Sequence, residues 1–355
     1  MVAPNRRRGR GAVINASGRF ERERREDFDD GWGALEDLPA FATQIVHERP
    51  RSLITRNDSP DISFDRSINP YRGCEHGCVY CFARPTHAFL GLSPGLDFES
   101  RLTVKDGAAD LLRRELSAPN YQPKTIAIGT NTDPYQPIER RHKVMREILQ
   151  VLSDTQHPVV IVTKSAHVLR DLDLLAAMAA KGLAKVALSI TTLDRKLARV
   201  MEPRASTPER RLDAVQALAA AGVPTAVMIA PIIPGVTDHE IEPILTRAQA
   251  AGANEAGYIL LRLPAETEDL FGAWLLENYP DKYRKVLALL RSTRDGKIYD
   301  SSWGKRMTGT GPYAWTLGRR FELASERLGL GKSKSKLRND LFLRPQTGGV
   351  QLSLF

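Results

Sequence analysis

From Ile62 onward the chain alternates short β-branched apolar runs with stretches of helical periodicity. That alternation restricts the fold to parallel strands joined by crossover helices. The apolar runs are Thr125 to Ile128, Val159 to Val162, Val186 to Ile190, Thr225 to Ile229 and Gly257 to Leu261, each short and rich in Val, Ile or Ala, as buried parallel strands are. Helical segments separate them: Ala108 to Leu116, Arg141 to Leu152, Leu169 to Ala180, Pro208 to Ala221 and His239 to Ala251. Thr207 before Pro208 marks a helix start and Gly222 after Ala221 a helix end. A further strand around Ser63 to Ile68 brings the count to about six βα repeats, too few for a closed eightfold barrel. The expected fold class is therefore α/β, a partial (β/α)6 barrel with an N-terminal arm and a basic C-terminal extension.

The expected boundaries are an N-terminal arm over residues 1–60, partly flexible, a core domain over 61–266, a basic accessory region over 267–345 and a flexible tail over 346–355. The arm is rich in Arg, Asp, Glu and Gly and has few apolar repeats before Leu53 and Ile54. Arg6 to Arg8 and Asp27 to Trp32 fit no mechanism, and the place expected for the arm is over the barrel mouth. No apolar run reaches the length of a membrane span, and no apolar segment follows the first arginines, so a cytoplasmic protein without membrane contact is expected. The net charge of +9, with Lys and Arg crowded at both ends, suits a polyanionic partner, or simply a solvated basic surface.

All three cysteines fall in Cys74-Glu-His-Gly-Cys78-Val-Tyr-Cys81, a CxxxCxxC spacing on a loop that follows a strand. With none elsewhere to pair with, they point to metal chemistry in a reducing compartment rather than to disulfides. Three thiolates on one turn can hold three corners of a [4Fe–4S] cluster and leave the fourth iron open. An open iron can chelate the amino and carboxylate groups of S-adenosylmethionine (SAM). Gly73 and Gly77 let the backbone turn around such a cube, and Tyr80 and Phe82 are placed to shield it. The alternative is a structural zinc with His76 or His87 as fourth ligand, although zinc sites usually draw on two separated knuckles and here there is one.

The stretch Ile68-Asn-Pro-Tyr-Arg-Gly-Cys74, followed by Cys78-Val-Tyr-Cys81, resembles the cluster loop of the radical SAM superfamily, within it the group related to spore photoproduct lyase. The resemblance covers roughly Asp61 to Glu266. It implies a six-repeat radical SAM barrel, a [4Fe–4S] cluster that cleaves SAM reductively to a 5′-deoxyadenosyl radical, and an electron donor such as flavodoxin or ferredoxin. It also suggests roles for the polar residues at the C-terminal strand ends, where ligands of parallel sheets collect. Thr130, Asn131, Thr132 and Asp133 stand where the superfamily holds the SAM amino group, Asp133 being equally suited to cap the turn before Pro134. Lys164 is similar in position to a lysine that contacts SAM in the lyase group. Ser189 and Thr191 match hydroxyls directed to the ribose or carboxylate, or else satisfy local backbone. Arg204 suits a charge-assisted contact with the SAM carboxylate. Pro231, in Ala230-Pro-Ile-Ile-Pro-Gly235, resembles the segment lining adenine, and Tyr80 joins this cofactor-binding set. Tyr135 and Arg262 complete the catalytic candidates, Arg262 as a substrate contact, and both can also be read as structural.

Spore photoproduct lyases use an additional cysteine after the cluster loop as hydrogen donor, and this chain has no cysteine after Cys81. A different reaction is expected, on DNA or a nucleic-acid-derived substrate. Lys282 to Arg344 is basic and interleaved with Tyr299, Trp303, Tyr313 and Trp315, as single strands or flipped bases require. The competing readings are modification of tRNA, a protein or a small metabolite, and a zinc-stabilised nucleic-acid-binding module without catalysis. The end of the sequence, Gln351, Leu352, Ser353, Leu354 and Phe355, resembles the peptide by which bacterial repair proteins bind the DNA sliding clamp, tethered through Gly348 and Gly349.

Overall fold

The computed structural model describes residues 9–15, 17–21, 42–331 and 336–346. The clamp-like residues Gln351, Leu352, Leu354 and Phe355, and the arm segments Arg6 to Arg8 and Asp27 to Trp32, lie outside the described residues.

The chain forms strands β1 (Gln44–Glu48), β2 (Thr55–Arg56), β3 (Arg66–Ile68), β4 (Tyr71–Arg72), β5 (Arg101–Lys105), β6 (Ile126–Ile128), β7 (Val159–Thr163), β8 (Ala184–Ser189), β9 (Thr225–Ile232) and β10 (Glu255–Leu260). The main sheet has the order β10-β9-β8-β7-β6-β3-β2. From β3 to β10 its neighbours run parallel, and β2 closes one edge antiparallel to β3. These parallel strands are the six expected repeats. Every residue of β6 and β8 is buried, because helices cover one face and side chains fill the other.

The crossover helices bury the apolar stripes that the periodicity predicts. In Val144–Asp154 that stripe is Val144, Met145, Ile148, Leu149, Val151 and Leu152. The helix expected from Arg141 is broken at Lys143, whose φ of 54° ends Glu139–His142 before Val144–Asp154 begins. Two others open with a 3-10 turn, at Ala166–Asp171 and Asp238–Glu240. In the second, Glu240 bonds the Leu193 amide at 2.6 Å and the Thr192 hydroxyl at 2.5 Å, which ties the turn to the loop after β8.

A second sheet, β1-β5-β4, has no counterpart in the expected pattern. Its strand β1 runs parallel to β5 and comes from the segment read as an arm, so residues 44–48 belong to the folded body. β1 lacks an alternating buried face, which explains its silence in the sequence.

After β10 come the helices Thr267–Asn278, Tyr283–Ser292 and Gly311–Arg327. The loop before the last of these spans the open side of the sheet. The Leu260 amide of β10 donates to Met307 O at 2.8 Å, while Gly304 N donates to Asp61 Oδ1 at 2.6 Å, and Arg306 bonds Asp61 and Ser59 in the loop after β2. Residues 336–346 return beneath the barrel, where the strands begin: Arg338 N bonds Gly182 O at 2.9 Å and Leu343 N bonds Thr155 O at 2.8 Å. The accessory region is thus stitched to both ends of the sheet.

Candidate active site

The cysteine loop leaves β3 at its C-terminal end and turns at Gly73 and Gly77, with φ of 74° and 67°. Its backbone is held from several sides. Cys74 N donates to Phe98 O at 2.9 Å and Val79 N to Met201 O at 3.1 Å. Gln136, from the region after β6, donates to Gly73 O at 3.1 Å and accepts from Glu75 N at 2.8 Å. Arg84 is completely buried and donates to Cys78 O at 3.0 Å, Gly77 O at 3.2 Å, Pro94 O at 2.9 Å and Gly95 O at 3.0 Å, with its charge met by Glu99.

Cys74 and Cys78 are buried, and Cys81 is partly open. Burial, reinforced for Cys74 by Asp133, pushes that thiol well above its ordinary range. Cys78 is pushed up to about 12, by burial first and then by Glu202. A metal held by these thiols would therefore displace protons. A sulfur-only donor set on one turn fits an iron–sulfur cluster, which takes one thiolate per iron. Among the described residues no group of three or more His, Cys, Asp or Glu side chains is placed to hold a single metal ion. His76 Nδ1 faces Asp133 Oδ2 at 3.4 Å, and His87 bonds Arg101 O through Nε2 at 3.0 Å.

Asp133 caps its turn through the Tyr135 amide at 2.9 Å, and also receives the Thr163 hydroxyl and the Lys164 amide, each at 2.7 Å. Burial raises its pKa, but His76 and these hydrogen bonds hold it down at about 2. One carboxylate thus joins the loops after β6 and β7 to the cysteine loop. Gly129 permits this crowding, since a Cβ there would collide with Val162 O. Asn131 is exposed, its amide fixed by Asn69 at 2.9 Å, and Thr130 Oγ1 receives Asn69 at 3.4 Å. Thr132 points inward and donates to Tyr71 O at 2.9 Å.

Across the mouth, the Lys164 ammonium stands 5.8 Å from the Tyr80 ring centroid. Buried Glu202 gathers the Tyr80 hydroxyl, Arg211 and the Thr191 hydroxyl, the last at 2.7 Å. Arg211 also donates to Ser189 O at 2.9 Å. Tyr80 and Thr191 are therefore committed to internal bonds. Arg204 pairs with Glu75 at 2.7 Å and keeps 40% side-chain exposure, leaving donors open. Pro231 lies near the end of β9. Arg262 stacks 4.4 Å over Phe82, which follows Cys81 directly. Tyr135 is set apart: its hydroxyl donates to Asp171 at 3.0 Å in a buried cluster with Arg170 and Glu139.

Sequence reasoning overlooked Glu75, Arg84, Glu99, Gln136, Glu202 and Arg211, all buried. The available signal was weak, namely charged residues on apolar faces, such as Arg211 on the buried side of its helix.

The family described as the radical SAM superfamily matches residues 68–248, half of the chain. The chain belongs to the radical SAM superfamily. An uncharacterized protein of Mycobacterium tuberculosis is 39% identical to this radical SAM enzyme over 230 residues, 63% of this chain and 68% of the relative. One from Methanocaldococcus jannaschii is 31% identical over 219 residues, 62% and 78% of the two chains. The structure of spore photoproduct lyase complexed with dinucleoside spore photoproduct shares the fold, with a TM-score of 0.59, 20% identity and coverage of 80% of this chain and 79% of that one. Membership implies a [4Fe–4S] cluster and SAM. Among the described residues no helix is long and apolar enough to cross a membrane.

Proposed function

We propose that this radical SAM enzyme holds its cluster through Cys74, Cys78 and Cys81 and modifies or repairs DNA or a nucleic-acid-derived substrate. The observation that supports the first part is that three thiols share one clamped loop, at the end of the sheet where Asp133 and Lys164 lie and where Arg204 pairs with Glu75 of that loop. When bound, the cluster and SAM supply reductive cleavage of the sulfonium carbon–sulfur bond, giving a 5′-deoxyadenosyl radical.

The chain's own residues position and enclose. Arg84 and Gln136 hold carbonyls of the cysteine loop in place. Arg204 offers guanidinium donors to a carboxylate, and Lys164 a cation beside Tyr80. Ser189, Thr191 and Pro231 line the same end of the sheet, Thr191 acting through Glu202. Anaerobically reconstituted protein with dithionite and SAM is expected to release 5′-deoxyadenosine, and Cys78→Ala to abolish it. A fully loaded cluster that leaves SAM intact refutes this reading.

Support for nucleic acid comes from the open side of the barrel. Arg262 lies in the field of Cys81, Tyr299 and Arg306, and the bridging loop carries Trp303, 58% exposed, beside Lys305. Cations interleaved with an exposed ring suit phosphates and an unstacked base. Trp315 is exposed on its helix, whereas Tyr313 is spent on Asp238. Binding of a fluorescent oligonucleotide should weaken steeply with salt, and Trp303→Ala and Arg262→Ala should each weaken it at fixed salt; salt-independent or absent binding moves the substrate to a protein or small metabolite. The reductant in this reading is a small carrier such as flavodoxin or ferredoxin. Residues 351–355 would dock on the sliding clamp, and their deletion should abolish retention on immobilised clamp.

A further inference from the structure

We infer that residues 9–15 are a strap that holds the cysteine loop closed and slows loss of iron from it, with Glu99 as its anchor. This rests on the reading that the loop carries the cluster. Glu99 is completely buried and accepts three successive backbone amides, Arg10 N at 2.6 Å, Gly11 N at 3.0 Å and Ala12 N at 2.8 Å. A run of amides wrapped around one carboxylate is an anion nest, here filled by the protein's own side chain. The same carboxylate takes the guanidinium of Arg84, which donates to Cys78 O and Gly77 O. One acidic group therefore couples the beginning of the chain to the backbone that carries the thiols.

Contact between strap and loop is backbone against backbone. A Cβ on Gly11 would collide with the Gly77 carbonyl oxygen, and a Cβ on Gly77 would come within 2.8 Å of Arg10 Cβ. Arg10 reaches Glu75, between Cys74 and Cys78, at 3.2 Å and also bonds Thr43. Val13 is buried in the apolar cluster that contains Cys78, Val79 and Tyr80. Ala12 packs on Leu96 and Leu270. Residues 9–15 thus cover the loop with groups that a globular core would not need there: the Arg10 cation among carboxylates and beside the Cys74 thiol, and a glycine shaped to one carbonyl. Groups around metal ligands commonly change metal retention by about 10- to 100-fold.

The test is Gly11→Val in the full chain, which displaces the strap and changes no residue of the cysteine loop or the strands. After anaerobic reconstitution, release of iron to a ferrous chelator and bleaching of the visible cluster band in air should both be about tenfold faster than in the wild type, while the metal-free protein still melts cooperatively. Should Gly11→Val unfold, a chain lacking residues 1–15 is assayed with a peptide of residues 1–15 supplied in trans, and the peptide should restore slow release. Wild-type release rates in the displaced or truncated protein, or a peptide without effect, overturn the inference. Wild-type protein that takes up no iron overturns the cluster reading instead, a distinguishable failure.

Discussion

At the scale of single residues, the site depends on buried charges that hold one another. Burial alone would raise the Glu202 carboxyl, yet Arg211 and Lys164 keep it below its ordinary value, so the pair stays ionised. Arg211→Met removes the compensating cation and leaves a buried carboxylate, a change that costs about 3–5 kcal/mol; the shift in urea midpoint measures it, and a loss below 1 kcal/mol would contradict the ion-pair account. His157 supplies a pH prediction. It is completely buried, with Nε2 2.8 Å from the Tyr121 hydroxyl and Nδ1 3.1 Å from Pro158 O, and burial lowers its pKa from 6.5 to about 4. The folded protein thus resists protonation that the unfolded chain accepts below pH 6.5. The contribution to stability is complete above that value and lost as pH falls from 6.5 through about 4, by about 3 kcal/mol. Urea titrations of metal-free protein at pH 7 and 4.5 should show that loss, and His157→Gln should reduce it. The cysteine motif, Lys164 just beyond β7 and Arg204 beyond the helix Arg195–Met201 were visible in the sequence as candidates. Glu99 and Arg84 were not, because nothing local distinguishes a buried acid from a solvated one when its partner is 15 residues away.

Among the elements, what was readable depended on self-sufficiency. β7 is a run of Val, Ile and Thr with alternating burial, and β9 is rich in Val, Ile and Ala and mostly buried, so composition alone identifies them. β2 and β4 have two residues each, and β1 pairs with β5 across a long separation, so their identity comes from partners rather than from pattern. Helix breaks were equally hidden: Lys143 takes a left-handed conformation that no propensity favours. Lys143→Gly should therefore stabilise the protein by about 1 kcal/mol, measured as a higher melting temperature. Caps act in the opposite direction. Asp194 accepts the Lys196 amide at 2.7 Å and the Leu197 amide at 3.3 Å, and Asp194→Ala should cost about 1 kcal/mol. That helix, Arg195–Met201, delivers Met201 O to the Val79 amide, so fraying it should also be felt in the cysteine loop.

For the whole molecule, the seam expected after residue 266 is crossed repeatedly. Arg294, 1% exposed, donates to Leu261 O at 2.8 Å, and Arg320 grips Glu242 with two bonds of 2.8 and 2.6 Å. A chain ended at 266 should lack a cooperative melt, because it uncovers Leu260, Leu261 and Leu263 together; a sharp unfolding transition from that fragment would show the later helices to be dispensable. The bridging loop from β10 to Asp61 has a wider consequence. The family pattern ends at residue 248, before the sixth parallel strand begins. What that pattern covers is therefore smaller than what must fold together. Grafting only the readable part onto another protein would transplant a cask short of one stave and without its hoop.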